Sequence, residues 1–306
     1  MHQPFACIVV TYHPDRQALR NLAHLAAWCD LLVVVDNTPM EARPRFCRWD
    51  NSLLILNDQN IGLAAALNQG IRLAGQQGLD NIFLFDQDSR VDRAFFTEML
   101  AFRQRIDRRT DRCALYVPQF FDRNCQSLTR FPQIRKYRFG HHSRPDARGA
   151  LLGTGIIAIT SGSLLPYSRY QEIGPFPEAY FIDFIDNEYC LRMAGKHLQV
   201  AVNYNAVLNH AIGHRSQHKW LGLTLKPNNH PPVRRYYIAR NGIRTALQHF
   251  RPFPAFSALI ALRLIHEALT IIIYENRKHK KIRAMLLGVL DGLTGRMGPC
   301  TRAAIT

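Results

Sequence analysis

Acidic residues are scarce in this 306-residue chain: 23 Asp and Glu stand against 39 Lys and Arg, a formal net charge of +16. A surface so basic favours anionic partners such as nucleic acid, nucleotide phosphates or anionic lipid headgroups, and charge alone does not choose among them. The seven cysteines never fall in a C-x-x-C spacing, so neither a disulfide framework nor a zinc site is expected, and reduced cytosolic thiols are. The residues Met1-His2-Gln3-Pro4 do not lead into a basic region and an apolar run, so no secretory signal is expected. No uninterrupted apolar run reaches membrane-spanning length. The nearest, Ala255 to Tyr274, is broken by Arg263, His266 and Glu267, and each charge costs about 2.5–3.5 kcal/mol at mid-bilayer. Repeats and low-complexity tracts are missing as well. With 47% hydrophobic residues, the chain can bury a large core.

What is present in the first third is alternation of short apolar strands with helical patterns, the signature of a doubly wound parallel sheet. Strands are predicted at Ala6–Thr11, Leu31–Val35, Leu53–Leu56 and Asn81–Phe85. Helices are predicted over Arg16–Trp28 and after Asn60-Ile61-Gly62. From about residue 110 the pattern becomes mixed, and the basic stretch Arg130 to Arg148 reads as a solvated loop. Helices resume from Pro231.

Ligands of open α/β sheets bind beyond the carboxyl ends of the strands. Thr11 and Tyr12, Asp36 and Asn37, Asn60, and Asp86 and Asp88 all stand at such ends. Any one of them alone would read as a turn or cap, but four polar strand ends together favour a site. Asp86-x-Asp88 puts two carboxylates on one side of an extended segment, where they can share a hard divalent cation, Mg²⁺ or Mn²⁺. Arg234, Arg235, Arg240 and Asn241, with Tyr236 and Tyr237, form a basic aromatic segment able to clamp a diphosphate, the alternative being a solvated basic helix. His210 and His214 lie four apart, but Gly213 between them argues against a helical metal pair.

These motifs, continued by Phe181-Ile182-Asp183-Phe184-Ile185-Asp186-Asn187-Glu188 up to Arg192, by His210-x-x-Gly213 and by Arg235-Tyr236-Tyr237-x-x-Arg240-Asn241, resemble family 2 glycosyltransferases over nearly the whole chain. The likeness is greatest to the bacterial rhamnosyltransferase branch. It implies the GT-A fold, a Rossmann-like nucleotide-diphospho-sugar transferase with a mixed α/β sheet flanked by helices and a C-terminal helical extension. The catalytic domain would span 1–230, with a nucleotide-binding half of about 1–110 and an acceptor half of about 111–230. A basic, amphipathic helical region would follow at 231–306.

By the same resemblance, Thr11, Tyr12, Asp36, Asn60, Asp86, Arg235 and Arg240 bind the donor nucleotide, with Asp36 on the nucleobase and Asp86 near the ribose. Asp88 holds the metal on the diphosphate, with Asp86 and His210 as further metal-site residues. Gly153, Gly155, Ser161, Glu188 and Arg192 belong to the donor-sugar and acceptor region. The family's acidic pair is usually Glu-Asp, six to seven residues before an Arg. Counting back from Arg192 places Asp186 at minus six and Ile185 where the Glu would be. Asp186 is thus the expected general base of an inverting displacement, and Asp183 is its rival.

The implied reaction is rhamnosyl transfer from dTDP-L-rhamnose to a lipid-linked or polysaccharide acceptor in bacterial surface-glycan assembly, at the inner face of the cytoplasmic membrane. Membrane contact is also suggested by the amphipathic run Phe256–Tyr274, followed directly by the cationic Arg277–Arg283, though packing on the catalytic domain or in a homodimer explains the same pattern. A sugar-1-phosphate nucleotidyltransferase would carry a glycine-rich basic loop after the first strand, where Thr11-Tyr12-His13-Pro14 stands instead. A nucleic-acid-binding protein is suggested by charge alone, with no recognised reading motif, so no nucleic-acid partner is expected.

Overall fold

The computed structural model describes residues 3–122, 127–142, 145–147, 149–210, 218–220, 223–225, 229–303 and 305, with side chains left aside at 122, 209–210, 218–220 and 223–225. Its first third follows the alternation of the sequence: β1 (Phe5–Thr11), α1 (Arg16–Ala26), β2 (Leu31–Asp36), β3 (Ser52–Leu56), α2 (Leu63–Gln76), β4 (Asn81–Asp86) and α3 (Arg93–Asp107). β1 to β4 are parallel, in the order β3-β2-β1-β4. Their near-continuous apolar runs suit strands covered on both faces. Asp15 and Asp92 cap α1 and α3 by accepting hydrogen bonds from the Ala18 and Phe95 amides. Phe95 and Phe96 of α3 pack edge-on to each other and against Phe83 and Phe85 of β4, which fixes the helix over the sheet.

Past α3 the sheet becomes mixed. β5 (Cys113–Asp122), β6 (Ser127–Leu128), β7 (Phe131–Arg135), β8 (Arg138–His142), β9 (Ala150–Gly153) and β10 (Ser163–Pro166) precede α4 (Tyr167–Ile173), α5 (Ile185–Gly195) and β11 (Gln199–His210). β10 runs antiparallel between β4 and β5, and the main path is β3-β2-β1-β4-β10-β5-β11-β9. The stretch expected as a solvated loop from Arg130 contains a hairpin instead, because β7 and β8 pair around the turn at Lys136 and Tyr137. Its exposed cationic side chains hid a period-2 ladder that needs only one covered face.

α6 (Pro232–Gln248), α7 (Pro254–Tyr274) and α8 (Lys278–Thr294) close the chain. α6 is fixed to its neighbours by a buried ion cluster. Arg235 bonds to Glu267 of α7 at 3.1 Å and to Glu275 at 2.5 Å, while Lys281 of α8 bonds to Glu275 at 2.7 Å.

The feature that sets up the site is the turn between Tyr180 and α5. Phe181, Asp183 and Phe184 all hold positive φ, at 68°, 64° and 62°. Each such residue costs on the order of 1–3 kcal/mol, so the surroundings must enforce the conformation. Asn241 of α6 does most of this, sharing its two amide hydrogens among the carbonyls of Tyr180 (2.9 Å), Ile182 (2.7 Å) and Asp183 (3.0 Å). Arg240 adds bonds to the Tyr180 and Ala179 carbonyls. From the other side, the Leu63 amide at the start of α2 donates to the Phe181 carbonyl at 2.6 Å. Gly62, at φ 89°, lets this approach happen, since a Cβ there would lie 2.8 Å from the Phe181 backbone. Asn68 fastens the segment upstream through the Phe176 amide and carbonyl. Asn241→Ala therefore strands several buried carbonyls and should cost about 2–4 kcal/mol of unfolding free energy in urea titration. A loss below about 0.5 kcal/mol would mean that the turn holds itself.

Candidate active site

At the carboxyl end of β4, Asp86-Gln87-Asp88-Ser89 is stitched to its neighbours. Gln87 accepts from the Tyr12 amide at 2.8 Å, and its carbonyl accepts from Asn21 at 3.1 Å. The Ser89 and Ser161 hydroxyls meet at 2.7 Å, and Ser161 Oγ accepts from the Asp86 amide at 3.3 Å. Ser161 thus stands at the acidic loop. Asp88 is exposed and pairs with nothing among the described residues, while Tyr12 lies open at the rim.

The turn described above brings Asp183 and Asp186 to the same end of the sheet. They are not equivalent. Asp183 is held by Arg234, whose Nη2 and Nε lie 3.1 and 3.2 Å from its oxygens. No cation pairs with Asp186 among the described residues. Its carboxyl is surrounded by protein while part of the side chain still meets solvent, the situation of a group on the floor of a cleft. Burial pushes its pKa up to about 6, helped by the negative charges of Asp183 and Asp86 and opposed by backbone amides, including that of Asn187 at 3.0 Å. Three carboxylates from two motifs about a hundred residues apart therefore share one electrostatic field.

Several expected site residues stand elsewhere. Arg235 is wholly buried in the ion cluster with Glu267 and Glu275, so it does not present a fork to a diphosphate. Arg240 is likewise buried, bonded to the Gly298 carbonyl at 2.6 Å and stacked on Tyr236 and Tyr237. The exposed guanidinium of this segment is Arg234. Glu188 and Arg192 pair with each other, and Arg192 reaches the Pro175 carbonyl at 2.8 Å. At about 100° per residue, Glu188 lies on the face of α5 opposite Asp186, against His249. Burial raises the pKa of Glu188, while hydrogen bonds from His249 and Arg192 lower it, with a net lowering.

Gly153 and Gly155 are also remote. β9 is four strands from β4, roughly 19 Å at the usual strand spacing. Gly155, at φ 70°, serves the approach of β7, since a Cβ would lie 2.0 Å from the Ile134 carbonyl oxygen. Asn60 acts as a turn residue, accepting from the Gly62 amide at 2.9 Å. Thr11 and Asp36 are fully buried and bonded to each other at 2.8 Å. Asp36 Oδ1 also takes the Thr38 hydroxyl, whereas Oδ2 lies 3.2 Å from Arg43 Nε outside hydrogen-bond geometry and lacks a donor. The side chain of His210, at the end of β11, and the whole of His214 lie outside the described residues.

Sequence reasoning missed Arg43 and Gln87. Arg43 comes from the connection between β2 and β3 with no motif around it. Gln87 was visible inside Asp86-Gln87-Asp88, but its tie to Tyr12 depends on the pairing of β1 with β4. Among the described residues no group of three or more His, Cys, Asp or Glu is placed to hold a metal ion.

No protein-family model matches the chain. It is 28% identical over 300 residues to a dTDP-rhamnosyl transferase, RfbF, of Shigella flexneri, covering 97% of this chain and 98% of that one. Among solved structures it is similar to TarS 1–349 of S. aureus, with a TM-score of 0.54 and 11% identity over 96% of this chain and 82% of that one. It is also similar to GalNAc-T7 with UDP, GalNAc and Mn²⁺, with a TM-score of 0.50 and 11% identity over 80% and 48% of the two chains. The architecture shared with these structures, a mixed sheet flanked by helices, and the likeness to a rhamnosyltransferase along almost the entire chain make this protein a glycosyltransferase of the GT-A fold.

Proposed function

We propose that the protein transfers L-rhamnose, with inversion, from dTDP-L-rhamnose to a lipid-linked or polysaccharide acceptor in bacterial surface-glycan assembly, at the cytoplasmic membrane surface. The observation that carries the reaction class is Asp186: an unpaired carboxylate with a pKa near 6, beside Asp86 and Asp183, at the strand ends where a nucleotide sugar would lie. Asp186 takes the acceptor proton as the hydroxyl attacks, and a base poised near neutrality suits that step. Asp183, paired with Arg234, positions the turn. The sugar and the nucleotide rest on the likeness to the Shigella flexneri enzyme.

The donor lies over Tyr12 and Asp86, and its nucleobase meets Asp36 Oδ2 when Arg43 is displaced. Two carboxylates, one of them exposed and unpaired, have the oxygen-donor chemistry that suits a hard cation. Asp88 and Asp86 would hold Mg²⁺ or Mn²⁺ there, and the ion would neutralise charge on the departing nucleotide.

Purified protein offered dTDP-, UDP- and GDP-sugars with Mn²⁺ should release nucleotide fastest from dTDP-rhamnose, and preference for another sugar would refute the donor assignment. Calorimetry with dTDP and Mn²⁺ should lose its metal-dependent component in Asp88→Ala, and unchanged affinity in the folded variant would remove Asp88 from the site.

Asp186→Asn should retain donor binding and lose about 10²–10⁴-fold in kcat. In the wild type, log kcat/KM should fall with unit slope at acid pH as Asp186 takes up its proton, its pKa being pushed up to about 6 in the metal-free protein and drawn lower by a cation bound beside Asp86. Because folding raises this acid's pKa, its ionisation opposes folding at neutral pH. Asp186→Asn should therefore be no less stable than wild type at pH 7, with any gain vanishing as pH falls into the ordinary carboxylate range. An inactive Asp183→Asn beside an active Asp186→Asn would move the base to Asp183.

A further inference from the structure

α7 is apolar on its outward face as well as on its buried one, where Phe256, Ile260 and Ile271 pack beside Glu267 and Thr270. At about 100° per residue, Leu262, Ile265, Leu269 and Ile272 fall within an arc of about 80°. That arc faces outward, with the four side chains between 49% and 58% exposed. The polar residues Arg263, Glu267 and Thr270 lie roughly opposite, and Glu267 and Thr270 are buried. Glu267 is bound there by Arg235 at 3.1 Å and Arg263 at 3.0 Å. α8 carries an exposed apolar stripe of its own, Leu286, Leu290 and Leu293, each 50–60% exposed at i, i+4 and i+7. Folding thus leaves each of the last two helices with an apolar stripe where the usual amphipathic helix would present charge.

Both ends of the α7 stripe are cationic. At its start the Ala255 amide bonds to the Lys136 carbonyl at 3.2 Å, which brings up the β7–β8 turn with exposed Arg135, Lys136 and Arg138 and the exposed aromatics Tyr137 and Phe139. At its end follow exposed Arg277, Lys278, Lys280 and Arg283, whereas Lys281 is buried against Glu275.

From this arrangement the geometry points to a docking surface for an anionic lipid bilayer, in which α7 and α8 lie in the interface plane with their Leu and Ile side chains among the acyl chains and the two cationic ends at the headgroups. This inference deepens the membrane placement proposed above by naming the surface that makes it, and it does not depend on the catalytic reading. A helix seated in the interface buries its apolar face, while neighbouring cations are drawn to anionic headgroups. α7 is long and apolar enough to cross a membrane by length and composition. Crossing, however, would pull Glu267 from Arg235 and leave a buried guanidinium short of its partner. A second copy packed two-fold on the same face fits poorly too, because with both ends of the stripe basic, either orientation sets cations against cations.

The full-length protein floated with vesicles decides the matter. It should bind vesicles containing phosphatidylglycerol at least about tenfold better than phosphatidylcholine alone, and alkaline carbonate should release it. The variant L262S/I265S/L269S/I272S, altered only at exposed positions, should lose binding at least about tenfold with an unchanged circular dichroism spectrum. If that variant misfolds, K280Q/R283Q serves instead and should weaken phosphatidylglycerol binding severalfold. Equal binding to both lipids, or carbonate-resistant insertion, overturns the proposal. So does a wild-type dimer in light scattering that becomes monomeric in the variant without any vesicle binding.

Discussion

The carboxamide of Asn241, spread over three carbonyls of the Tyr180–Phe184 turn, is the contact on which the site depends. A turn with three non-glycine residues at positive φ does not persist on its own. It is held between the start of α2, through Leu63 and Gly62, and the middle of α6. The C-terminal helices are therefore part of the machinery that aims Asp183 and Asp186, and the ion cluster of Arg235, Glu267, Glu275 and Lys281 keeps α6 where it can do so. Strain stored in the turn is balanced by hydrogen bonds from a helix fifty residues further along the chain.

That turn also sorts the acidic residues. Asp183 has a guanidinium at 3.1 Å, Glu188 has Arg192 and His249, and Asp186 has only amides and the repulsion of its neighbours. Proteins place a proton acceptor that works near neutrality by withholding a counter-charge and limiting solvent, and Asp186 has both conditions. The adjacent motif at the end of β4 contributes negative charge that raises Asp186 further. A cation bound there would lower it again, so the two halves of the site are coupled through charge.

Much of this was legible in the residues. The four parallel strands and the polar ends of β1, β2 and β4 follow from short, near-continuous apolar runs and from punctuation, both of which are local. Asp86, Asp88, Asp186 and Ser161 gather at one end of the sheet because topology brings strand ends together, and topology is what the motif order encodes. The failures share one cause, since sequence does not report which side of a residue is covered. Arg235 and Arg240 have the chemistry of a phosphate clamp but lie on the faces of α6 that α7 and the C-terminal residues cover. Gly153 and Gly155 looked like a donor floor yet serve strand packing four strands away. α7 was recognisable as amphipathic, but its polar side turned out to face the protein because Arg235 waits there.

The central claim is that the turn leaves Asp186 as an unpaired carboxyl with a raised pKa. The most direct test is a ¹³C NMR titration of the aspartate carboxyl carbons in the full-length protein, with Asp186→Asn supplying the assignment. One resonance should titrate near 6 in the wild type and be missing from the variant. If every aspartate carboxyl titrates within the ordinary range, below about 4.5, Asp186 is not the poised base described here.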